Sequence, residues 1–134
     1  MDSHEWKLSA KEAKLTLKTK TEASLFSQGL HALYDFMDPV RGRGVAPIVN
    51  LDLKGTSLAH VLDQVLASTL TWSYQNKAHY HTIIIHQLLP NHIIAVLEGD
   101  IVDSFHRQLK QPHAHATHSD HKDGWFHASL TFDL

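Results

Sequence analysis

GWFHASLTFDL, Gly124 to Leu134, decides how the chain folds. Phe126, Ala128, Leu130, Phe132 and Leu134 alternate with Trp125, His127, Ser129, Thr131 and Asp133. Successive side chains of a strand point to opposite faces, so this period of two predicts a final strand with one apolar face that must meet a covering layer. AKLTLKT, residues 13–19, alternates in the same way, with Ala13, Leu15 and Leu17 on one side, and the preceding EWKLS suits a hairpin partner. HYHTIIIHQLL and HIIAVLEGDIV are β-branched runs separated by Pro90-Asn91, which predicts a second hairpin. VAPIVNLDLKG reads as a further strand.

The covering layer comes from two segments with a helical period. After Thr21, an N-cap residue type, Phe26, Leu30, Leu33 and Met37 recur at steps of three and four, and the helix should stop near Asp38-Pro39. After Ser57, Leu58, Val61, Leu62, Val65, Leu66 and Leu70 form the strongest helical stripe in the chain. RGRG, Arg41 to Gly44, reads as a solvated turn or loop, since no strand-to-helix phosphate motif adjoins it. Two helices among about six strands predict an α+β fold, with the helices packed on a mainly antiparallel β-sheet.

A length of 134 residues, 43% hydrophobic and 19% charged, predicts a single globular domain over residues 1–134. Cysteine is absent, which excludes disulfides, thiolate metal sites and a cysteine nucleophile. No apolar run is long enough for a membrane span or a signal peptide, and the expectation is a cytoplasmic protein without a membrane partner. The net charge of -2, with histidine neutral, gives no support to direct RNA binding through a broad basic face. No G-x-S-x-G elbow or acid/base constellation is visible, so the chain is not expected to be an enzyme.

Two ligand sets stand out. Glu12 immediately precedes one strand and Asp133 is next to the last residue of another. If those strands are neighbours, their carboxylates and the Leu134 terminus could hold a hard divalent cation such as Ca²⁺, Mg²⁺ or Mn²⁺. The alternative is imidazole chemistry. HAHATHSDH, residues 113–121, supplies His113, His115 and His118, and His127 shares a face with Asp133, a mixed set that would suit Zn²⁺. Against both stands the reading of these histidines as surface residues on strands. His79, His81 and His86 are likewise read as polar edge-strand residues facing solvent.

The order of landmarks resembles the archease family over essentially the whole chain. KTEASLFSQGLHALYDFM, Lys20 to Met37, is similar to the family's first helix, K-T-L-E-E-A-F-E-N-A-A-L-A-L-F-x-x-M. SLAHVLDQVLASTL falls where the family has D-L-E-x-L-L-x-x-W-L-D-E-L-L. PHAHATH, DGWF and the closing TFDL resemble K-A-V/I-T-Y-H, the D-G-W turn and F-D-I. The resemblance implies a fold of the strand-helix-strand-strand (SHS2) type and an accessory role. Such proteins promote guanylylation and turnover of an RtcB-type RNA ligase in tRNA splicing and RNA repair. It also implies an acidic divalent-metal site from D-H-T-A-D and the Asp of F-D-I.

Carried over without a gap, D-H-T-A-D falls on LSAKE, so only its last acid survives, as Glu12; Asp133 is kept, and His118 matches the motif histidine. The second-helix acids fall on Ala67 and Ser68. The expected site is therefore a reduced one at Glu12, Asp133 and Leu134, with loss of metal binding as its alternative. HAHATHSDH occupies the family's penultimate strand and the turn after it, which makes β-pairing its framework role.

Overall fold

In the computed structural model, which describes residues 1–113 and 117–134, eight strands and two helices follow one another in the order ββαββαββββ. They are β1 (Ser3–Leu8), β2 (Glu12–Thr19), α1 (Glu22–Met37), β3 (Pro39–Val45), β4 (Val49–Lys54), α2 (Leu58–Asn76), β5 (Ala78–Leu89), β6 (His92–Phe105), β7 (His118–Lys122) and β8 (Trp125–Asp133). The expected α+β class holds, with the strands divided between two antiparallel sheets. One runs β1-β2-β8-β7. The other is built around the 14-residue β6, which carries β5 along one edge and β4 and β3 in tandem along the other.

Alternation in the sequence becomes burial in the fold. Ala13, Leu15, Leu17, Ala128, Leu130 and Phe132 are all buried on the inner face of the first sheet, and each large apolar side chain there contributes about 1.5–3 kcal/mol. Leu134 lies beyond the end of β8 and is exposed, so the apolar face closes at Phe132. Trp6 of β1 joins sheet to helix: its indole N–H donates to the Ala32 carbonyl at 3.0 Å, and its ring packs on Phe36 and Phe132.

Both helices start where a hydroxyl can cap them. Thr21 accepts from the Ser24 N–H at 3.1 Å, and Ser57 from the His60 N–H at 3.2 Å. α1 ends on Asp38 in the left-handed region, just before Pro39. The predicted stripes face inward, and the helices cross closely at Gly29, where a Cβ would meet Leu66 Cδ2 at 3.0 Å.

RGRG departs from its expected loop conformation and lies within β3. β4 pairs only with residues 92–97 of β6, so the remaining edge of that long strand must satisfy its hydrogen bonds elsewhere, and residues 39–45 do so through an irregular register. Local sequence rich in glycine and arginine yields here to the pairing demand of a distant strand.

Candidate metal centre

Glu12 and Asp133 are direct cross-strand partners, the first pair of the β2–β8 ladder. The chain beyond α2 and the second sheet returns to the same place. The Lys110 N–H donates to the Asp133 carbonyl at 3.0 Å, the His113 N–H donates to the Thr131 carbonyl at 2.8 Å, and Pro112 bridges Phe132. This segment lies on the β8 edge opposite β2, so Asp133 is flanked by Glu12 on one side and His113 on the other. Ligand atoms of Glu12, His113 and Asp133 all lie within 4.8 Å of one another, with Glu12 exposed and the other two half-buried.

His113 Nε2 stands 2.7 Å from Asp133 Oδ1. That hydrogen bond, and after it the charge of the same carboxylate, raises the His113 pKa above the ordinary imidazole value, with Glu12 adding in the same direction and desolvation opposing. The group is thus a hydrogen-bonded imidazole–carboxylate pair with a second carboxylate beside it. A divalent ion bound at about 2.0–2.2 Å would hold its ligands about 3.3 Å apart, so the imidazole and the Asp133 carboxylate, 2.7 Å apart, would have to separate, with Glu12 adjusting from within 4.8 Å.

The structure gathers only part of each expected ligand set. Leu134 is held next to the site, its N–H donating to the Lys11 carbonyl at 2.9 Å. His127 shares a face with Asp133 but stands six residues away along β8, roughly 20 Å. His118 pairs with Ser129, and with His127 and Asp120 it lines a separate shallow groove of about 110 Å³. His115 lies outside the described residues. Of the histidine set, His113 is the member among the described residues that the fold brings to the acids. The signal for this was weak: a spacing of 20 residues from Asp133 carries no local pattern.

Beneath the site, Thr117 donates to Asp63 Oδ1 at 3.0 Å, with the His113 carbonyl as a second acceptor at 3.4 Å. Asp63 is buried on α2, and desolvation raises its pKa, against the opposing effects of the Thr117 hydrogen bond and the nearby His60. Sequence periodicity placed Asp63 on the second helix without marking it as a buried acid.

His79 and His81 also depart from the solvent-facing expectation. His79 is partly buried, its ring 4.3 Å from that of Tyr34 and 5.4 Å from that of His81, and its Nε2 is buried without a hydrogen-bond partner among the described residues. Burial first, then the neighbouring His81 and more distantly His31, push its pKa down to about 4 against a raising effect of Asp100. It is a neutral imidazole at pH 7.

No family model matches the chain, and no curated protein does. No helix among the described residues is long and apolar enough to cross a membrane. Among solved structures, the solution structure of Methanobacterium thermoautotrophicum protein 1598 superposes with a TM-score of 0.73 at 13% identity, covering 98% of each chain. At that identity the likeness concerns the fold: the two chains share one α+β architecture from end to end.

Proposed function

We propose that this protein is a divergent archease-like accessory factor that binds a divalent metal ion through Glu12, His113 and Asp133. In this reading it promotes guanylylation and turnover of an RtcB-type RNA ligase in tRNA splicing or RNA repair, acts in the cytoplasm, and is not itself the enzyme. The observation that carries the reading is the convergence of these three side chains, within 4.8 Å, at the β2–β8 end where the family resemblance expects an acidic metal site. His113 supplies a ligand where the D-H-T-A-D acids are missing, which supports a reduced site rather than a lost one.

One imidazole with two carboxylates favours a borderline ion such as Zn²⁺, or Mn²⁺, over the all-oxygen shells that Ca²⁺ and Mg²⁺ prefer. When bound, the ion would concentrate positive charge at an otherwise acidic tip. Glu12 and Asp133 hold it from paired strands, and the main-chain hydrogen bonds of Lys110 and His113 to β8 fix the third ligand.

The test has two arms. Metal-stripped protein is titrated calorimetrically with Zn²⁺, Mn²⁺, Mg²⁺ and Ca²⁺, as wild type and as Asp133→Ala; saturable binding that the substitution abolishes supports the site, and weak, unsaturable uptake refutes it. Separately, ligase-GMP formation is followed with and without the protein. A ligase that gains nothing from it sinks the partner assignment. If the metal arm succeeds there, the second reading stands: a metal-binding protein of this fold without a ligase, which the presence of an imidazole in the donor set favours.

A further inference from the structure

Residues of α1, β3, β5 and β6 line an open cleft of about 300 Å³ whose walls include Tyr34, Arg41, His79, His81 and Asp100. It continues past Tyr34, His79 and His81 into a second hollow of about 340 Å³ bordered by His31 and Asp35.

Three independent irregularities converge on it. The β5–β6 register shifts between Tyr80 and Thr82, leaving His81 as a bulged residue beside His79. The β3–β6 register shifts on both sides of Arg41. Bulges cost ladder hydrogen bonds and re-aim side chains, and two of them open onto the same cavity. The third is the His79 Nε2, buried behind the cleft wall with no hydrogen-bond partner among the described residues, a cost that native interiors rarely carry.

Most polar groups around the cleft are already paired, and the exception is at its rim. His81 is tied down, its Nε2 at 3.2 Å from Asp100 Oδ2 and its Nδ1 at 2.7 Å from Thr82 Oγ1. Asp35 is engaged by His4 at 2.7 Å. The Arg41 guanidinium, unlike the residue's ladder-paired backbone, makes no hydrogen bond or ion pair with any described residue, which leaves at the rim a fork that matches a carboxylate or phosphate. Tyr34 is 47% exposed. Its aromatic ring, with Pro39, Ile101 and Val102, makes the walls mostly apolar, the usual build of a small-molecule site. A metal does not suit this place, since the only group of metal-ligating spacing among the described residues is the one at Glu12.

We infer that this cleft binds a small organic anion carrying a planar ring, with Arg41 holding the anionic group, Tyr34 and His79 forming the wall for the ring, and the His81–Asp100 pair meeting a donor on the opposite side. An aromatic carboxylate and a mononucleotide share this chemistry. The site is independent of the metal centre, so the two assignments fail separately.

The test is an NMR titration of ¹⁵N-labelled full-length protein with benzoate, AMP, inorganic phosphate and the uncharged analogue benzamide, in wild type, Arg41→Ala, Tyr34→Ala and Asp133→Ala. Benzoate or AMP should shift the amides around His79 and Asp100 saturably, together with the His79 imidazole nitrogens, and which of the two binds tighter separates the two ligand sources. Phosphate and benzamide should bind more weakly, Asp133→Ala should leave binding intact, and Arg41→Ala should weaken it by about tenfold or more, the worth of a hydrogen bond to a charged group. Absence of saturable shifts from either ring-bearing anion up to about 10 mM, beyond the range of a weak specific ligand, overturns the inference. So does affinity unchanged in Arg41→Ala, which marks an adventitious contact, or equal binding of benzamide.

Discussion

Gly99→Ala tests the strand geometry on which the cleft depends. Gly99 sits in β6 opposite Tyr80, and a Cβ there would lie 2.0 Å from the His79 carbonyl oxygen and 2.8 Å from Tyr80 Cα. Both neighbours are backbone, so no rotamer change relieves the clash, and restoring ordinary contact requires β5 to move away from β6 by more than about 1 Å. At that displacement the ladder bonds beside the His81 bulge are lost, at about 0.5–1.5 kcal/mol each. The fully buried Tyr80 is also disturbed; its hydroxyl donates to the Pro47 carbonyl at 2.7 Å and accepts from Asn76 at 2.9 Å. Two ladder bonds and partial loss of this packing add to about 3 kcal/mol. For a domain of this size that lowers Tm by roughly 10 °C. Urea unfolding gives the free energy directly, and Gly124→Ala makes a useful contrast, since its cost arises from a φ of 78° with nothing within 4 Å. A Gly99→Ala loss below about 0.5 kcal/mol would refute the reasoning, because the two strands would then be free to separate without cost.

Three further outcomes follow from the electrostatics and the buried polar groups. His79 is neutral in the fold, with a pKa of about 4, and protonates near 6.5 when unfolded; its contribution is complete above the unfolded value and is lost as pH falls through about 4, up to about 3 kcal/mol that solvent access reduces to about 1–2. The difference in unfolding free energy between wild type and His79→Leu at about pH 7.5 and about pH 4.5 isolates it, and equal differences would contradict it. Thr117→Val removes the side-chain hydrogen bond to the buried Asp63 and should cost about 1–3 kcal/mol, whereas Thr117→Ser should cost less. Metal affinity at Glu12, His113 and Asp133 should fall as pH drops through the raised His113 value, because the ion must displace the proton shared with Asp133; a pH-independent affinity in calorimetry would remove His113 from the ligand set.

Much of the architecture was legible because it is local. The alternation in β2 and β8, the stripes of α1 and α2, the Thr21 and Ser57 caps and the Pro90-Asn91 turn each lie within a few residues, and all of them reappear in the structure. The site was half legible. Glu12 and Asp133 could be named as ligands on the condition that their strands are neighbours, and β2 does lie beside β8.

What the sequence by itself determined is therefore the set of elements and which face of each is apolar, since period and capping act over one or two turns of chain. Tertiary structure alone decided the rest. It made Arg41 part of a strand by leaving half of one β6 edge for β3. It carried His113, through an isolated bridge and two main-chain hydrogen bonds, to the carboxylates of Glu12 and Asp133. It turned His79, on the edge strand β5, from an expected solvent-facing residue into a half-buried neutral imidazole against Tyr34. In each case the partners are far apart in sequence, and the energy that joins them, whether ladder hydrogen bonds, charge or desolvation, exists only once the sheets have closed on the helices.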